Sequence, residues 1–235
     1  MSSNTVVVLG GGVGGMVAAN ELCRQLPGSH RVVLIERNAR YAFPPSFLWV
    51  MTGEREPEQI CRPLATLLRP GIEFMQAEVI RIDSEHRKVQ TTKAEIPYDK
   101  LIVALGADLA PDAIPGLMEA SHTFFTFDGV ARLRDALRCF SGGRIAVLVS
   151  AMPYKCPGAP HEGSMLIADF FRERGLSRQV EIHLFTPEAQ PMPVAGPHLG
   201  EAVRGMLQAR GIQFHPLHQV TRIEPNVREL IFENG

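Results

Sequence analysis

Two groups of residues in this sequence have types and spacings that can do chemistry. The first is the run Gly10-Gly11-Gly12-Val13-Gly14-Gly15. Its Gly10-x-Gly12-x-x-Gly15 spacing permits a tight turn at Gly10, backbone approach to a pyrophosphate at Gly12 and close helix–strand packing at Gly15. Glu36, with Arg37 beside it, follows roughly 20 residues later, where a carboxylate can take ribose hydroxyls. The second group surrounds Cys156, which stands between Lys155 and Pro157 and shortly ahead of Glu162. A neighbouring lysine and a helix starting at Pro160 would both favour the thiolate, the nucleophilic form. A buried loop cysteine without chemistry is the plainer alternative for Cys156. Glu162 can handle protons, although a surface carboxylate at a helix start would look the same.

Both groups need elements to place them. Thr5 to Leu9 and Arg31 to Glu36 are continuous β-branched runs that read as buried parallel strands, with a helix from Met16 to Leu26 between them. That is a right-handed βαβ unit, with the glycines at the strand-to-helix turn and Glu36 at the end of the second strand. Pro57 to Leu68 is expected to be helical, Ile72 to Ile96 an antiparallel meander, and Leu101 to Ala104 another buried strand. Ala110 to Gly116 is the best candidate for a boundary, giving domains at 1–112 and 113–235. The second half repeats the layout: a helix Arg132 to Phe140, a strand Arg144 to Val149, a long loop, a helix Ser164 to Arg174 and a strand Val180 to Phe185. A helix Leu199 to Arg210, a strand Ile212 to His215 and a meander from Val220 to Phe232 follow. The expected fold is α/β, with two Rossmann-like domains. No closing strand follows the last meander, so a chain truncated at its C-terminus is expected.

Composition excludes several classes. A formal net charge of −1 offers no electrostatic reason to expect nucleic acid. No apolar run approaches the roughly 20 residues that span a bilayer, and the N-terminus lacks the form of a signal peptide. The expected location is the cytoplasm or the cytoplasmic face of a membrane. The four cysteines, Cys23, Cys61, Cys139 and Cys156, show neither CxxC nor metal-ligand spacing, so no metal is expected. Cys23 and Cys61 align with apolar helical stripes and are expected to be shielded.

The glycine motif alone does not separate FAD from NAD. The segment Tyr98-Asp99-Lys100-Leu101-Ile102-Val103-Ala104-Leu105-Gly106-Ala107 resembles the second fingerprint of the two-dinucleotide-domain flavoproteins. That resemblance implies FAD on the first unit, held by Gly10, Gly12, Gly14, Gly15, Glu36, Arg37, Ala104 and Gly106. Val79 matches the position whose backbone meets the adenine there, and reads equally well as an ordinary strand residue.

The branch is decided by two loops. Tyr41 to Val50 holds no cysteine, which removes the catalytic group of the disulfide reductases. The loop Ser150-Ala151-Met152-Pro153-Tyr154-Lys155-Cys156-Pro157-Gly158-Ala159-Pro160-His161-Glu162 puts prolines and a tyrosine where an NAD site needs glycines. Its Cys156–Glu162 stretch, together with Pro45-Ser46-x-x-Trp49-Val50, resembles the sulfide:quinone oxidoreductases and the flavoprotein subunit of flavocytochrome c sulfide dehydrogenase. The resemblance implies that Cys156 oxidises sulfide together with a second cysteine from the C-terminal half, that Glu162 handles protons, and that electrons pass through FAD to a quinone. It leaves open a peripheral membrane attachment through that C-terminal half, and a homo-oligomer. The additional cysteine of some members and the FAD-tethering cysteine of the flavocytochromes are absent near Phe125 and near Ala42–Phe43. Other FAD-dependent NAD(P)H:quinone or disulfide oxidoreductases, and a non-catalytic FAD-binding fragment, remain alternatives at this point.

Overall fold

In the computed structural model, which describes residues 3–235, the residues up to Phe43 gather with Glu58–Leu109 into a first unit. Its elements in chain order are β1 (Thr5–Leu9), α1 (Val13–Gln25), β2 (Arg31–Glu36) and the short pair β3 (Arg40–Ala42) and β4 (Cys61–Pro63). Next come β5 (Ile72–Gln76), a meander of β6 (Val79–Asp83), β7 (Lys88–Thr91) and β8 (Glu95–Pro97), and finally β9 (Lys100–Val103). The central sheet has the order β5-β2-β1-β9, and all its strands are parallel.

The apolar runs of β1 and β2 are continuous because both faces of this sheet are covered. Val7, Leu9, Val33 and Ile35 pack with Ala77, Val89 and Ile96 of the meander side. Val8, Val32 and Leu34, pointing the other way, pack with Met16 and Ala19 of α1 and with Leu64. The register pairs Val7 with Val33 and Leu9 with Ile35, so side chains of one face stay together. Burial of each such aliphatic side chain contributes about 1.5–3 kcal/mol.

The second unit comprises Pro44–Pro57 and Ala110–Gly235. It contains α2 (Phe47–Thr52), α3 (Leu117–Ala120), α4 (Phe127–Cys139), β10 (Gly143–Leu148), α5 (Ala159–Glu173) and β11 (Val180–Phe185). It ends with α6 (Pro197–Ala209), β12 (Gln213–His215) and a hairpin of β13 (Val220–Glu224) and β14 (Glu229–Phe232). Strands β10, β11 and β12 form a parallel sheet in that order. The Thr126 hydroxyl caps α4 by accepting the Gly129 N–H at 3.1 Å. Phe214 of β12 lies near His161 of α5. Alternation turns its neighbour His215 to the other face, where it stacks on Phe185 at 4.4 Å and meets His183 Nδ1 at 3.0 Å through Nε2. His218 and Phe232 complete that aromatic stack from the hairpin side.

Three expectations are corrected. Pro57–Leu68 is not an α-helix. It is a 3₁₀ turn at Pro57–Ile60, then β4, then a 3₁₀ turn at Leu64–Leu67. Pro63, which cannot donate to a helical ladder, ends β4, and Cys61 is buried through pairing with Ala42 instead of on a helical stripe. Ile72–Gln76 is not meander; it extends the parallel sheet beside β2, and the antiparallel strands begin at Val79. The helix after β10 begins at Ala159, with Pro160 in its first turn, five positions ahead of the expected Ser164. Cys23 is half-buried, with its Sγ 3.5 Å from the Pro70 carbonyl.

Leu34 is fully buried at the centre of the first sheet. Leu34→Ala should lower unfolding free energy by about 2–5 kcal/mol in urea titration. Ile80→Ala, at a position 60% exposed, should stay within about 0.5 kcal/mol of the parent. Equal effects of the two would contradict this assignment of the core.

Candidate functional site

Each unit carries candidate residues in the loops that follow its parallel strands at their carboxyl ends. In the first unit the chain leaves β1 through Gly10, whose φ of 99° is in the left-handed region. A Cβ on Gly10 would fall 2.3 Å from the Ala104 carbonyl oxygen, so the turn after β1 and the end of β9 need glycine to meet. A Cβ on Gly15 would fall 1.8 Å from the Gly10 carbonyl oxygen. Gly14 faces the Ala104 methyl at ordinary contact distance. Beside Gly12 and Gly106, by contrast, nothing lies within 4 Å of the place a Cβ would take. These glycines therefore divide into ones that let backbone meet backbone and ones that leave room beside the backbone.

Gly12 is also the N-cap of α1 and supplies no side-chain cap, while Met16 N–H bonds its carbonyl at 2.9 Å. The N–H groups before Met16 thus have no helical partner, and they carry the positive end of the helix dipole. Glu36 ends β2. Its Oε2 accepts the Gly11 N–H at 2.8 Å, and its Oε1 accepts the Asn38 backbone and side-chain N–H groups at 2.8 and 2.9 Å. Those bonds fix the carboxylate beside the glycine loop. Arg37 is exposed next to it. Val79 is half-buried against the core and begins β6, paired with Thr91.

In the second unit the corresponding loop, between β10 and α5, carries side chains where the loop after β1 carries glycines. Cys156 is exposed and has φ of 57°. A non-glycine residue in the left-handed region costs about 1–3 kcal/mol and persists where its surroundings hold it. The Cys156 carbonyl accepts the Ala159 N–H at 3.0 Å, so the residue sits immediately before the first turn of α5. Glu162 is exposed in that same first turn. The structure thus brings Cys156 and Glu162 to one end of α5.

Around this loop, Tyr154 enters the sequence reading only as a bulky residue in place of glycine, and Glu188 and His161 are given no role there. Tyr154 donates its hydroxyl to Glu188 Oε2 at 2.7 Å, and Glu188 is buried in the loop after β11. Burial, with the Glu188 carboxylate second, pushes Tyr154 ionisation well above the ordinary phenol range, so it stays a donor. His161 is 1% exposed; its Nδ1 lies 3.1 Å from the Pro157 carbonyl, while Nε2 is buried without a hydrogen-bond partner. The Pro157 carbonyl needs a donor, so Nδ1 carries the proton and Nε2 the lone pair. Burial lowers the His161 pKa, opposed by that bond and by Glu188. A signal for Glu188 was present: both halves share a layout, and an acid stands at the end of the second strand in one and shortly after it in the other.

Comparison with known proteins covers nearly the whole chain. The family described as Pyridine nucleotide-disulphide oxidoreductase matches residues 4–235. The mitochondrial sulfide:quinone oxidoreductase of Mus musculus is 26% identical over 97% of this chain and 51% of its own length. The sulfide-quinone reductase of Aquifex aeolicus is 30% identical over 97% of this chain and 54% of its own. The crystal structure of the Aquifex aeolicus sulfide:quinone oxidoreductase superposes with a TM-score of 0.87 at 25% identity, over 98% of this chain and 54% of that one. The chain therefore spans about half the length of the curated relatives it matches. No helix among the described residues is long and apolar enough to cross a membrane.

Two outcomes are expected. Gly12→Ala should melt like the parent, since nothing crowds the added methyl, yet bind FAD about tenfold or more weakly in a fluorescence titration. FAD affinity equal to the parent's would remove Gly12 from the site. His161, with its pKa lowered in the fold, stabilises the protein above its unfolded-state pKa, and that contribution is lost as pH falls below it. Unfolding free energy should therefore drop between about pH 7 and pH 5 by up to about 1 kcal/mol per pH unit more than in His161→Gln. Parallel pH profiles for the two proteins would rule this out.

Proposed function

Because this chain belongs to the pyridine nucleotide-disulphide oxidoreductase family, we propose that the protein is an FAD-dependent oxidoreductase that oxidises sulfide and passes the electrons to a quinone. FAD is the cofactor of the family and of its sulfide:quinone oxidoreductases. The first unit fits it: the space beside Gly12 and Gly106 is open, and Glu36 is oriented next to the glycine loop. Gly12, Gly14 and Gly15 would face the pyrophosphate with the start of α1, Glu36 the ribose, and the backbone at Val79 the adenine. FAD, when bound, accepts an electron pair from the donor and yields it to an acceptor.

The observation that carries the sulfide reading is Cys156 itself, exposed at a left-handed position directly ahead of α5. A dinucleotide-binding loop has glycine in such places, so that a pyrophosphate can approach. Here the loop presents a thiol, which is a nucleophile and a sulfur carrier. Joining hydrosulfide to the Cys156 thiol as a persulfide releases one proton and two electrons. Glu162, in the first turn of α5, is the carboxylate assigned to that proton. The relatives whose names specify sulfide and quinone support this substrate pair.

Cys156→Ser tests the reading. It should keep FAD, since no residue assigned to FAD changes, and lose sulfide-dependent flavin bleaching by about a hundredfold or more, because a hydroxyl is a poorer nucleophile and carries no persulfide. Bleaching by sulfide at the parent rate would remove Cys156 from the reaction.

A further inference from the structure

The loop from Ser150 to Gly158 is tied down on both sides of Cys156. Upstream, Tyr154 donates to the buried Glu188 carboxylate at 2.7 Å. Glu188 is itself fixed: its N–H donates to Thr186 Oγ1 at 3.2 Å, that hydroxyl lies 3.3 Å from Oε2, and its carbonyl accepts the Leu217 N–H at 3.1 Å. Downstream, Ala159 N–H bonds the Cys156 carbonyl. His161 Nδ1 bonds the Pro157 carbonyl at 3.1 Å, and the Tyr154 hydroxyl lies 3.5 Å from the same oxygen. The downstream ties belong to the start of α5 and would form for many loop sequences. The Tyr154–Glu188 bond is different, because it joins the loop after β10 to the loop after β11 through two side chains.

We propose that Tyr154 and Glu188 are positioning residues for Cys156, an inference that rests on the proposed role of Cys156 in sulfide oxidation. A left-handed cysteine relaxes toward ordinary backbone conformations unless both flanks are held. Tyr154 holds the upstream flank, and Glu188 is the fixed point it is held to. Without the bond, the thiol leaves the end of α5 for part of the time and reacts more slowly there. The bond acts as a hydrogen bond more than as a charge, so a glutamine, whose side-chain oxygen also accepts, should replace Glu188.

The experiment is alkylation of the purified protein by iodoacetamide, read cysteine by cysteine through peptide mass spectrometry. The exposed Cys139 serves as internal reference, and the buried Cys61 reports loss of fold. Tyr154→Phe and Glu188→Ala should slow Cys156 relative to Cys139 by about fivefold or more, while Glu188→Gln stays within about twofold of the parent at neutral and mildly acidic pH. Should Glu188→Ala also unmask Cys61, Tyr154→Phe and Glu188→Gln decide the matter. An unchanged or faster Cys156 rate in Tyr154→Phe, or a Glu188→Gln rate as slow as in Tyr154→Phe, overturns the inference whether or not sulfide reduces the flavin. The expected rate pattern in a protein whose flavin sulfide fails to bleach leaves the positioning in place and overturns the sulfide reading alone.

Discussion

The approach of α1 to the end of β1 governs the first unit. With 1.8 Å between the Gly10 carbonyl oxygen and the place of a Cβ on Gly15, only a residue without a side chain lets the helix begin there. The start of α1 and the place of Glu36, both assigned to the dinucleotide, depend on that closeness. It sets the start of α1 beside the carboxyl end of the sheet, where unpartnered N–H groups and the helix dipole suit an anion. It also sets Gly11 within reach of Glu36, whose Oε2 accepts the Gly11 N–H. The cost is borne elsewhere, by the aliphatic packing of β1 and β2 on both faces of the sheet.

The second unit repeats the strand–loop–helix plan and uses the same kinds of position differently. At the end of β2, Glu36 holds backbone N–H groups of Gly11 and Asn38. After β11, Glu188 holds a tyrosine hydroxyl. One acid accepts from backbone, and the other accepts from a side chain of the neighbouring loop. The same architecture thus supports a glycine loop in one unit and, at residues 150–158, a loop tied to Glu188 by a tyrosine in the other.

What the sequence made legible is what local rules control. The β-branched runs, the glycine spacing and Glu36 follow from short-range requirements of strand, turn and helix start, and the structure places them in one turn and its neighbours. Cys156 could be set ahead of a helix because Pro160 suits a first turn. Other features depend on contacts distant in sequence. Residues 57–68 have apolar spacing compatible with a helix, yet Cys61–Pro63 pairs with Arg40–Ala42, and no local pattern announces that pairing. Ile72–Gln76 alternates like a meander strand, but its partner is β2. Tyr154 and Glu188 stand far apart in the chain, so their bond was visible only once β10 and β11 were seen side by side.

The proposed function has reducing equivalents enter from sulfide at the cysteine loop of the second unit. Its most direct measurement is an anaerobic titration of the FAD-loaded protein, first with NADH and then with sulfide, following the flavin absorbance. The account predicts an unchanged spectrum through the NADH additions and stoichiometric bleaching on addition of sulfide. Rapid stoichiometric bleaching by NADH would contradict it.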